Sequence, residues 1–140
     1  MLHNKKIISL CIASSLFISS SLYATQKKQV PFLIQDRLPH LTKMIHMLWD
    51  DEDLALTKKQ KEKLLVIKQE TLSRLKELKQ KITQLENSIV EASNKGENPQ
   101  TLEKDVQKLA SLRAQATMVH LRCLYNTRKI LTKDQKFIVE

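Results

Sequence analysis

An all-α fold follows from three features of this 140-residue chain. It holds one glycine and three prolines, fewer than sheets and tight turns consume. Apolar residues recur at steps of three and four over long stretches, the period of one helix face. Two segments, Leu56-Thr57-Lys58-Lys59-Gln60 and Leu131-Thr132-Lys133-Asp134-Gln135, also carry the chemistry of a helix start. A Thr at the N-cap accepts from the backbone N–H three residues on. A Gln at that third position reaches back to the N-cap N–H, so two orphan donors are satisfied together. The expected architecture is a long antiparallel helical hairpin plus two short flanking helices, in a single domain over residues 34–140.

Residues 1–24 read as a cleaved export signal. Lys5 and Lys6 form a positive start, Ile7 to Tyr23 is uncharged and serine-rich, and Leu22-Tyr23-Ala24 offers a small-residue cleavage point. A retained anchor is the competing reading, since the apolar run approaches the roughly 18 residues needed to span a bilayer. With cleavage, no stable membrane insertion is expected. Removing Lys5 and Lys6 then lowers the net charge from +9 to +7. Residues 25–33 are polar and basic up to Pro31 and read as a flexible lead-in.

The first helix is expected from near Pro39, with Leu38 as its cap and Phe32 to Leu38 extended or loosely helical. Its stripe is Ile34, Leu38, Leu41, Ile45 and Leu48. Asp50-Asp51-Glu52-Asp53 follows as an acidic loop facing the positive start of the next helix. The second helix runs from Lys58 to about Ser93, with Leu75, Leu78, Ile82, Leu85 and Ile89 as its stripe and Leu64, Ile67 and Leu72 extending it. Gly96 suits a left-handed position after the helix end, and Asn98-Pro99 suits N-cap and first turn of a third helix reaching Ile130. That helix carries Leu102, Val106, Leu109, Leu112, Ala116, Val119 and Cys123. The last helix begins at Thr132 and carries Phe137 and Ile138.

Composition excludes several function classes. With Gly96 alone, neither a P-loop nor a dinucleotide fingerprint can be built, and no His-Glu-x-x-His, Cys-x-x-Cys or Gly-x-Ser-x-Gly occurs. No enzyme and no cofactor are expected. Six aromatics and no nucleic-acid module argue against nucleic acid as a partner, despite the basic charge. Cys123, the one cysteine left after cleavage, has no partner within its chain.

Two such motifs, their threonines 75 residues apart behind an export signal, resemble the LTxxQ-motif Spy/CpxP family of small helical periplasmic stress proteins. The resemblance implies a periplasmic, cradle-shaped homodimer whose motif residues Leu56, Thr57, Gln60, Leu131, Thr132 and Gln135 are structural. The function it implies is that of an ATP-independent chaperone, or holdase, for unfolded or stress-damaged envelope proteins. Capture would begin through cations such as Arg37, Lys43, Lys61 and Lys68. An apolar patch of Phe32, Leu33, Met44 and Met47 would reinforce it. One alternative is a CpxP-like regulator docking on the periplasmic domain of an envelope-stress sensor kinase. Another is a periplasmic copper- or zinc-sensing protein resembling the CnrX-like sensors. No metal is expected, and His40, Met44, Met47, His120 and Cys123 are its weak candidate ligands by residue type.

Overall fold

The computed structural model describes residues 31–34 and 37–140, so the expected export signal and most of the lead-in lie outside the described residues. Four helices follow in order: α1 (Leu41–Met47), α2 (Lys58–Asn94), α3 (Pro99–Ile130) and α4 (Lys133–Val139). Among the described residues there is no strand, and no helix is long and apolar enough to cross a membrane.

Local chemistry sets most of the boundaries. Thr57 and Thr132 each close a full capping box with the Gln three residues on. At the end of α2, the Glu97 N–H reaches the Ala92 carbonyl and the Gly96 N–H reaches that of Ser93, which is the Schellman pattern. Gly96 stands in the left-handed region at φ 78°. Asn98 then caps α3 by accepting from the Gln100 N–H at 3.1 Å, with Pro99 in the first turn.

The start of α1 corrects the sequence expectation. The helix begins at Leu41, after an N-cap at His40 that makes no side-chain cap bond, and Pro39 lies before it. The Lys43 and Met44 N–H groups share the His40 carbonyl, so the first turn closes there. Of the expected stripe, only Leu41 and Ile45 are fully buried.

α2 packs along α3, while α1 contacts α3 and α4. Cross-contacts between the long helices pair Gln60 with Ile130 and Glu86 with Arg113. The main core is confined to the region where α1, the start of α2, the end of α3 and α4 meet: Leu41, Ile45, Leu54, Leu64, Leu124, Leu131 and Val139. Leu38, Leu48, Trp49, Leu56 and Ile130 pack around it. Outside this cluster, Ile82 on α2 and Ala116 and Cys123 on α3 are the buried apolar positions among the described residues. Leu72 and Val106, expected in the stripes, are instead about half exposed, at 54% and 50%. On α2 the half-buried Thr71 takes the inward position, four residues before Leu75, and turns Leu72 aside by about 100°. On α4, Val139 enters the core and Phe137 is 90% exposed.

One test isolates the α2 terminus. A Cβ built on Gly96 meets nothing within 4 Å, so Gly96→Ala carries only the left-handed backbone cost. That cost is about 1 kcal/mol, read as a lowered urea midpoint at unchanged slope. An unaltered midpoint would show that the α2 end does not depend on this conformation.

Candidate functional site

The two motifs meet in space. Gln60 Nε2 donates to Gln135 Oε1 at 2.7 Å, and Gln135 Nε2 stands 3.3 Å from Gln60 Oε1, so the side-chain amides face each other. Each also serves its own cap: Gln60 Oε1 accepts from the Thr57 N–H at 3.0 Å, and Gln135 Oε1 from the Thr132 N–H at 3.0 Å. The remaining donor capacity goes across the fold. Gln60 Nε2 reaches the Ile130 carbonyl at 3.0 Å and Gln135 Nε2 the Leu54 carbonyl at 2.9 Å. Gln135 is buried, so these bonds form where an unmet polar group is costly.

The acidic loop is tied into the same assembly. Asp51 Oδ1 accepts from the Asp53 and Leu54 N–H groups, both at 3.0 Å. Asp50 pairs with Lys61 at 2.8 Å. Ala55 is held at φ 42°, which costs an L residue about 1–2 kcal/mol. Its N–H donates to the Asp51 carbonyl at 3.0 Å, and the preceding Leu54 is held by Asp51 Oδ1 and by Gln135.

Beside this braced end lies a groove of about 650 Å³. The N-terminal segment and α1 supply one wall through Phe32, His40, Lys43 and His46. α2 supplies the other through Lys68, Thr71, Leu72, Leu75, Lys76 and Lys79, and α3 contributes His120 and Cys123. The segment is pinned to α3 by the Leu33 N–H, which donates to Thr117 Oγ1 at 2.9 Å. Three rings stack along the wall: Phe32 lies 5.1 Å from His120, and His40 lies 5.0 Å from it on an almost parallel plane. Burial, and then the neighbouring His40, push the His120 imidazole below its ordinary value, against a backbone hydrogen bond at Pro39 that raises it.

Among the described residues, no acidic side chain lines the groove. A second hollow of about 500 Å³ between α2 and α3 differs in mixing Glu77 with Arg74, Lys81 and Arg122. There Glu77 is occupied by Lys81 at 2.5 Å.

The sequence-derived candidates divide accordingly. Phe32, Lys43 and Lys68 line the groove. Leu33, Arg37, Met44 and Met47 are exposed but do not line it. Lys61 lies elsewhere, held by Asp50 and placed 5.7 Å over the Trp49 ring. Leu72, Leu75, Lys76 and Lys79 were missed as a group. Their signal was present, since positions 68, 72, 75, 76 and 79 share one helical face and flank two leucines, Leu72 and Leu75, with three lysines.

The soft-metal candidates are only partly assembled. His40, His120 and Cys123 share the groove, with Cys123 buried as a free thiol. Met44 and Met47 do not line it. Among the described residues no group of three His, Cys, Asp or Glu is placed to hold a metal ion. The near-parallel His40 and His120 rings present faces rather than converging lone pairs.

Two measurements probe this geometry. Gln60→Ala and Gln135→Ala are expected to be non-additive by about 0.5–3 kcal/mol in a double-mutant cycle, because each removes a partner of the other. Additive losses would mean that the amide pair stabilises nothing beyond the two caps. For His120, the folded-state value lies below the unfolded one, so the unfolded chain binds more protons as pH falls. Stability is therefore full above the unfolded value, about 6.5, and falls as pH drops through the window below it. His120→Gln is expected to flatten that slope in urea titrations between pH 7.5 and 5; an unchanged slope would place its origin in other groups. Searches against protein-family models, curated proteins and solved structures find no match for this chain.

Proposed function

We propose that this chain is an exported, ATP-independent holdase of the Spy/CpxP type, binding unfolded or stress-damaged envelope proteins in the periplasm. In this reading α2 and α3 form an antiparallel hairpin, and two copies assemble into a cradle. The observation that carries it is the groove wall on α2, where exposed Leu72 lies among Lys68, Lys76 and Lys79 and, among the described residues, no carboxylate lines the hollow. Lysine stems extend such an apolar surface and their heads attract acidic or mixed chains, with no fixed pocket that demands one sequence. Leu33 on the N-terminal segment and Met44 and Met47 on α1 add exposed apolar area outside the groove, with Met47 71% exposed. Methionine adapts to many partners at such surfaces. No catalytic residue is assigned, and the motif residues act on the fold.

The test is the aggregation of a chemically denatured model protein followed by light scattering, without ATP, with and without the purified chain from Thr25 to Glu140. Suppression at near-stoichiometric amounts, weakened by salt, is expected. Absence of suppression at several-fold excess would overturn the holdase reading and favour a regulator that docks on the folded domain of a sensor kinase.

A further inference from the structure

We propose that the groove between α1 and α2 binds a single-chain anionic amphiphile of the fatty-acid class. Its alkyl chain would lie on Phe32, Leu72 and Leu75, and its carboxylate would be held by the lysines around them. The lining is strongly cationic. Lys43, Lys68, Lys76 and Lys79 all line one hollow; among the described residues no Asp or Glu lines it and none of the four is in an ion pair. Like charges gathered around a concave wall repel one another and focus a positive potential into the hollow, and an anion there relieves both.

Leu72 is 54% exposed and, with Phe32 and Leu75, gives a hollow lined by four lysines an apolar lining as well. An inorganic anion would satisfy the ammonium groups and leave that apolar lining wet. A neutral lipid would cover the apolar lining and leave the ammonium groups without a counter-charge. An amphiphile with one negative head and one alkyl chain satisfies both. The volume, about 650 Å³, falls within the roughly 300–1,000 Å³ typical of small-molecule sites and is far too small for a folded partner.

This goes beyond the holdase reading and fails separately from it, because the aggregation assay contains no amphiphile. The test is calorimetric titration of the full chain with dodecanoate below its micelle concentration, alongside dodecanol and inorganic phosphate. Dodecanoate is expected to saturate one site per chain. Dodecanol and phosphate are each expected to bind at least tenfold more weakly. Lys76→Gln combined with Lys79→Gln, both exposed helix positions, is expected to weaken dodecanoate at least tenfold, and Leu72→Ser several-fold, at parental helicity by circular dichroism. Lys43→Gln on α1 gives an independent variant on the facing wall. Dodecanol binding as tightly as dodecanoate would overturn the proposal, as would phosphate doing so. Unsaturable uptake, or parental affinity in all of these variants, would equally overturn it.

Discussion

Everything at the packed end of this molecule depends on one pair of facing amides. Gln60 and Gln135 come from motifs 75 residues apart, and each does three things at once. Each closes the cap of its own helix, bonds the other, and reaches a main-chain carbonyl of a third segment. A primary amide offers two donors and an acceptor with two lone pairs, which is what such a junction consumes. Glutamate in either place would keep the acceptor for the cap and lose the donors for the crossing bonds. A repeated Gln therefore has a specific chemical use here beyond helix capping.

That junction fixes the entry angles of α2 and α4 and closes the core where Leu41, Ile45, Leu64, Leu124, Leu131 and Val139 meet. The core in turn seats α1, and α1 with the segment from Pro31 forms one wall of the cationic groove. The chain of dependence runs from amide to cap, from cap to core, and from core to wall. The ring stack of Phe32, His120 and His40 lines that wall, and Leu33 is tied to Thr117 on α3.

What the sequence made legible was local. Thr57, Thr132, Gly96 and Asn98-Pro99 mark helix ends because their chemistry acts within four residues, and the structure uses them in those roles. The start of α1 was harder, since Pro39 permits a helix at once or two residues later and His40 offers no strong cap. The spacing on α2 placed Leu72 in the stripe, yet the structure leaves Leu72 half exposed and half-buries its neighbour Thr71, both of them lining the groove. The Gln60–Gln135 contact and the His40–His120 stack join residues 75 and 80 apart, and no local rule encodes such distances.

The one-sided core has a kinetic consequence. Toward the turn at Gly96, α2 and α3 are held by Ile82, half-buried leucines and the Glu86–Arg113 pair. Free energy of opening follows the density of buried contacts, so it rises along the helices from that turn toward the glutamine junction. The two ends thus work on different clocks. The tip can separate and reclose many times while the junction stays shut, and unfolding of the whole chain waits on the slower event.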